Sequence, residues 1–172
     1  MGGKIRFNVA KFGAKVASQV SKFGFGSGNN LPGYVFYKIA GKEALKDLAH
    51  EMSIGPILIT GTNGKTTTTT LLIKLLSADT KIRKSFESNT IHAITTGILK
   101  GDGDLGVFEY GIRNKSYGIP DTVQRLIDPV GVVYTTISRE HSQVAGVKNP
   151  FEEYVDAKSL LSQGMTRGVV IS

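Results

Sequence analysis

The chain has no cysteine, which excludes a disulfide framework and a thiolate zinc site and suits a reducing interior. It also lacks any uninterrupted apolar run approaching the length of a membrane span. The first residues carry scattered charges in place of the apolar stretch of a secretory signal, so a cytoplasmic protein is expected. There is no internal repeat, and the only low-complexity linker is the loop at 24–33. Acidic residues are scarce at one end. Residues 1–50 hold eight Lys/Arg against two Asp/Glu, and the remainder hold thirteen against twelve. The net charge of +7 therefore belongs to an N-terminal segment. Such a segment reads either as a surface for an anionic partner (nucleic acid, membrane or phosphorylated substrate) or as a solvated helix face. What is present is otherwise ordinary: 172 residues, 40% hydrophobic and 20% charged, enough for one full-sized core.

Ile5, Val9, Phe12, Val16, Val20 and Phe23 recur at spacings of three and four, which predicts an amphipathic helix with Lys4, Lys11, Lys15 and Lys22 on much of the remaining surface. "FGFGSGNNLPG", Phe23 to Gly33, stops it with glycines and a Pro-Gly turn. "GKEALKDLAHEM", Gly41 to Met52, reads as a second helix. From Pro56 the texture alternates. Strands are expected at "PILIT" (56–60), around 82–86, at "LGVFEY" (105–110), at "GVVYTTI" (131–137) and at "GVVIS" (168–172). Helices are expected near 64–77, 91–99, 120–127 and 149–163. Strands separated by helices imply an α/β fold, a mostly parallel sheet covered on both faces and preceded by a short helical arm.

"ITGTNGKTTTTTLL", Ile59 to Leu72, joins the first strand to its helix. The strict phosphate-loop pattern has four residues between its glycines, and here the spacing is shorter: Gly61-Thr62-Asn63-Gly64-Lys65-Thr66. The physics survives the shortening. Glycines let successive amides converge on an anion, and the helix N-terminus adds its positive end. Lys65 can neutralise β- and γ-phosphate oxygens, Thr66 can ligate Mg²⁺, and Thr67 can donate near the α-phosphate. The plainer alternative is a glycine turn with a helix-capping threonine. Thr68, Thr69 and Thr70 read as helix-face residues whose hydroxyls bond back to the preceding turn.

"GTNGKTTTT" after an apolar strand resembles the Mur ligases, the ATP-dependent amide ligases of cell-wall precursor synthesis, whose relatives include folylpolyglutamate synthetase. The segment before it, a short arm and then "GSGNNLPG", resembles the MurT-like branch and the pseudomurein peptide ligases of methanogenic archaea. The resemblance implies a Rossmann-like phosphate-loop domain using ATP and Mg²⁺. Glu109, ending "LGVFE", matches the family's acidic residue, where a carboxylate at a neighbouring strand end can reach the cation. In "YTTISREHSQVAG", Tyr134 to Gly146, His141 falls on the family's metal-binding histidine, while Thr136 stands for the usual Asn and Glu140 for the usual Asp. "FEEYVDAKSLL", Phe151 to Leu161, matches the helix whose lysine is carbamylated in many members. That makes Lys158 a candidate catalytic residue and, as its carbamate, a metal ligand, where an isolated lysine would be a solvated helix residue. "ESNTIHA" sits where substrate contacts occur, so Asn89 and Thr90 are weaker substrate candidates and His92 is read as structural.

The resemblance implies residues 1–52 as a basic helical segment and 53–172 as an incomplete central ATP-binding domain. A C-terminal domain is expected in addition, because the last strand has no covering helix, and the 172-residue chain is expected to be inactive alone. The expected activity joins a carboxylate of a nucleotide-linked or otherwise phosphorylated pseudomurein peptide precursor to an amino acid through an acyl phosphate. Alternatives are a MurT-type subunit working with a glutaminase partner, folylpolyglutamate synthesis, and a non-catalytic nucleotide-binding module tethered to a membrane by residues 4–23. No nucleic acid partner is expected. The helix at 4–23 is expected to pack its apolar stripe on the domain, with membrane contact the lesser reading.

Overall fold

The computed structural model describes residues 2–22, 30–141 and 148–172, with the backbone alone for Lys22 and His141. Five strands form one parallel sheet: β1 (Gly55–Thr60), β2 (Ile82–Ser88), β3 (Leu105–Tyr110), β4 (Gly131–Tyr134) and β5 (Val169–Ile171). Their order is β2-β3-β1-β4-β5. β1 therefore lies in the middle, and its register sets Ile59 beside Glu109 of β3 and Thr60 beside Tyr134 of β4. A parallel sheet requires crossover helices. These are α4 (Lys65–Leu76), α5 (Ile91–Lys100), α6 (Pro120–Ile127) and α7 (Pro150–Ser159).

Successive residues of a strand face opposite ways, and the central strands divide their apolar side chains accordingly. Leu58, Phe108 and Val132 belong to the larger core with Ile94 and Ile98 of α5 and Leu126 of α6. Ile59 and Val107 belong to a smaller cluster, against which Leu72, Ile73 and Leu76 of α4 pack. The expected α/β architecture with helices on both faces is what is found. Some boundaries moved. The strand read as 131–137 stops at Tyr134, leaving Thr136 in an isolated bridge with Asn63. The helix read as 149–163 ends at Ser159, and that read as 41–52 is α3 (Ala44–Ala49).

Two N-terminal findings depart from the sequence reading. α1 (Gly2–Lys22) is a helix, but it packs through its other face. Phe7, Ala10 and Ala14 join the larger core, and Ala17 is buried beside them. Ile5, Phe12 and Val20 remain 64%, 70% and 43% exposed, and Val9 and Val16 are exposed with them. Phe23 lies outside the described residues. The face is chosen by closeness of approach, since small side chains let α1 lie near α2: at Gly13 a Cβ would already stand 3.1 Å from Ile39 Cδ1.

α2 (Leu31–Ala40) begins inside the stretch whose Pro-Gly predicts a turn and runs through 34–40, to which the sequence reading assigns no element. Its Pro32 sits in the first turn, where the missing N–H costs nothing. Gly33 is needed for proximity, because a Cβ there would overlap the His92 carbonyl of α5. The Gly33 amide donates to Thr96 Oγ1 at 2.9 Å. Among the described residues no helix is long and apolar enough to cross a membrane.

Candidate nucleotide-binding site

The loop between β1 and α4 opens at the C-terminal edge of the sheet. Gly64 has φ +83° at the α4 N-cap, a left-handed conformation that glycine adopts without strain. Gly61 lies so close to Thr135 that a Cβ would overlap its hydroxyl. The loop is pinned from behind. The Thr62 and Asn63 amides donate to the Thr136 carbonyl at 2.7 and 3.4 Å. The Thr62 hydroxyl accepts from the Ser138 amide at 2.9 Å and donates to the Ser138 carbonyl at 3.3 Å. Tyr154 of α7 stands with its hydroxyl 3.0 Å from Thr62 Oγ1. Asn63 Nδ2 donates to Glu140 at 2.8 Å.

Thr62 and Asn63, read from the sequence as part of the phosphate cradle, thus spend their amides on the strand connection after β4. The first-turn amides of α4 have no intrahelical partner and begin at a glycine whose carbonyl already accepts from Thr68. These are the amides of Lys65, Thr66 and Thr67, which follow Gly64 and are the loop amides that an anion could engage. Lys65 Nζ meanwhile donates to the Thr62 carbonyl at 2.7 Å, so the lysine is held against its own loop.

Two predicted metal ligands meet. Thr66 Oγ1 donates to Glu109 Oε2 at 2.9 Å, and the carboxylate is only 3% exposed at the end of β3. A hydroxyl and a carboxylate oxygen are the donor set a hard cation prefers. Of the later threonines, Thr70 donates back to the Thr66 carbonyl at 2.8 Å as expected. Thr69 does not: its hydroxyl is buried with no partner among the described residues.

Lys158 is fully buried. Its Nζ donates to the Ile112 carbonyl at 2.9 Å, the Gly61 carbonyl at 3.3 Å and Thr60 Oγ1 at 3.5 Å, and lies 4.3 Å from the Tyr154 ring centroid. Burial, with the nearby Lys65 charge second, lowers its pKa to about 7. Three acceptors around one nitrogen match the three N–H groups of an ammonium, and the neutral amine can donate to two of them. A carbamate would set its oxygens against two carbonyl oxygens, so in this geometry the shell does not fit the modified form.

The His141 side chain and residues 142–147 lie outside the described residues; the His141 backbone belongs to a 3₁₀ turn, Arg139–His141. Among the described residues no three His, Asp or Glu cluster as a metal site. Thr90 is turned to a structural task, its hydroxyl accepting from the Ala93 amide at the α5 N-cap and donating to Asn30. Asn89 is exposed beside Gly111. His92 packs edge-on against Tyr34 and Tyr37, and burial lowers its pKa. Tyr154 had no assigned role from sequence. Its place one helical turn before Lys158 was the available signal, since residues four apart share a helix face.

A parallel sheet, a glycine loop leading from its central strand into a helix, and a carboxylate on the adjacent strand define a phosphate-loop α/β domain. The Mur ligase middle domain matches residues 59–172, and the chain belongs to the Mur ligase family. It is 36% identical over 100 residues, 56% of its length, to the UDP-N-acetylmuramoyl-tripeptide–D-alanyl-D-alanine ligase of Borreliella burgdorferi. The corresponding enzyme of Bacillus subtilis is 29% identical over 136 residues, 74% of the chain. The chain spans 21% and 29% of the length of these relatives. In fold it is similar to a MurF ligase from Thermotoga maritima in complex with ADP, with TM-score 0.59 and 18% identity over 76% of this chain and 31% of that one. A MurF structure from Acinetobacter baumannii gives TM-score 0.62 and 18% identity over 82% of this chain and 29% of that one.

Proposed function

We propose that the chain is the nucleotide-binding part of an ATP-dependent ligase that forms an amide between a cell-wall peptide precursor and an amino acid. The observation that carries this reading is the Thr66–Glu109 contact of 2.9 Å at the mouth of the glycine loop. It joins a strand-end carboxylate to the hydroxyl that follows the loop lysine. The loop's first-turn amides and Lys65 bind the β- and γ-phosphates, Lys65 exchanging its bond to Thr62 for phosphate oxygens. Thr66 and Glu109 would hold Mg²⁺, which supplies positive charge to the phosphoryl oxygens as the transfer proceeds.

A precursor carboxylate oxygen attacks the γ-phosphorus, the bond to the bridging oxygen breaks, and ADP leaves an acyl phosphate. The amino group of the second substrate then attacks the acyl carbon and expels phosphate, giving the amide. Thr62, Tyr154 and Ser138 hold the loop in shape for this transfer. Lys158 acts as an unmodified lysine whose ammonium ties β1, the loop and the stretch after β3 together. A metal-binding role for Lys158 with His141 would require carbamylation and a different side-chain position. An intact-mass increment in bicarbonate is the measurement for it.

The named relatives act in muramoyl-peptide synthesis, which supports a nucleotide-linked peptide as acceptor. The "GSGNNLPG" segment favours the pseudomurein version of that precursor, and a cytoplasmic setting goes with both. The division into a basic helical segment at 1–52 and a central domain at 53–172 belongs to the same proposal as a division of role, since the two share one core. The test is titration of a fluorescent ADP analogue with and without Mg²⁺. Lys65→Ala is expected to weaken binding about tenfold or more, and Glu109→Ala to remove the Mg²⁺ dependence. Nucleotide binding indifferent to Lys65→Ala would end the ligase reading.

A further inference from the structure

Five of the apolar side chains that the spacing singles out on α1 are left uncovered among the described residues. Ile5, Val9, Phe12, Val16 and Val20 are all exposed, Phe12 most of all. At about 100° per residue they fall within roughly 80° of the helix circumference, and from Ile5 to Val20 they run about 22 Å along it. This is a continuous stripe rather than scattered surface residues. Ala10, Ala14 and Ala17 on the far side are already spent on packing.

The charge on this helix is of one sign. Gly2–Lys22 contains Lys4, Arg6, Lys11, Lys15 and Lys22 and no acidic residue. Lys4, Lys11 and Lys15 line one flank of the stripe, between it and the packed face. Lys4 and Lys15 are exposed, while Lys11 pairs with Glu51 at 2.7 Å. A second copy of the chain fits this surface poorly. In a two-fold antiparallel helix pair each flank meets its own copy, which sets lysine columns opposite each other. An extended anionic plane with an apolar layer beneath it satisfies both features at once. Apolar insertion and a basic flank together give the two signals that stable surface binding needs.

We propose that α1 lies flat on an anionic lipid bilayer, with the Ile5–Val20 stripe among the acyl chains and Lys4 and Lys15 at the phosphate level. The helix rests on the bilayer and does not cross it. This inference is independent of the nucleotide reading.

The test is co-sedimentation of the full chain with phosphatidylglycerol–phosphatidylcholine vesicles, against pure phosphatidylcholine. The chain is expected to pellet with the anionic vesicles at low salt and to lose most of that binding at high salt. Val9→Glu/Phe12→Glu/Val16→Glu is expected to lower partitioning about tenfold or more. Lys4→Gln/Lys15→Gln should lower it several-fold on anionic vesicles only. All five positions are exposed, so the variants should melt like the parent by circular dichroism and keep its nucleotide affinity. Absence of pelleting, or pelleting unchanged by the triple variant, overturns the proposal. So does self-association in solution that the triple variant abolishes while vesicles bind neither protein, which would seat a second copy on the stripe.

Discussion

Lys158 is the residue whose setting departs furthest from its ordinary chemistry. Its pKa falls from 10.5 to about 7 because burial disfavours the cation and Lys65 adds a like charge. The sign of the effect on stability follows. Below the folded value the lysine is charged in both states, and the cost of burying the cation is present in full. Between the folded and unfolded values the native state has lost the proton that the unfolded state keeps, so stability rises with pH across that window. Wild type should therefore gain on Lys158→Met as pH is raised from about 6 to about 9 in bicarbonate-free buffer. Urea denaturation of the two proteins measures it, and parallel pH curves would remove the buried-amine description. The residues around Lys158 show what sequence could reveal. Thr66 was singled out by its place after a glycine loop and a lysine, whereas Glu109 and Lys158 were singled out only because their segments resemble those of a known family. The Ile112 carbonyl and the Ser138 amide were not, since any residue supplies those groups and only the fold brings them to the site.

The helices divide in the same way. β3 matched its expected bounds and α4 lay close to them, because a strand between turn residues and a helix after a glycine loop are signalled locally. α1 was legible as a helix but not in its orientation. Periodicity finds an apolar stripe and cannot tell whether anything covers it, and alanines give little hydrophobic contrast to mark the face that packs. α2 was missed because Pro32-Gly33 reads as a turn when its neighbours are unknown. Packing explains the glycine and makes it testable. An added methyl at Gly33 meets backbone at His92, which cannot yield as a flexible side chain can. Gly33→Ala should cost about 1–3 kcal/mol, as overpacking does. Thermal denaturation reads this, and a melting temperature equal to wild type would show that α2 and α5 are further apart than described.

At the scale of the whole molecule the two faces of the sheet are unequal. α4 covers one, while the other carries α5, α6 and the three N-terminal helices in a shared core. Phe36, Leu45 and Leu48 have no exposure at all, so the basic N-terminal segment is built into the same interior as the sheet. A chain cut to residues 53–172 is expected to lose its cooperative thermal transition, followed by circular dichroism; a sharp melt in that fragment would show that the sheet domain is self-sufficient. The same long reach governs when the phosphate loop takes form. Thr62 touches Ser138, 76 positions later, and Tyr154, 92 positions later. The loop's sequence leaves the ribosome early, but the contacts that shape it arrive only with the strand connection after β4 and with α7. A nascent chain therefore carries the motif long before the contacts that shape the loop exist, and a formed loop marks a chain whose sheet is already assembled.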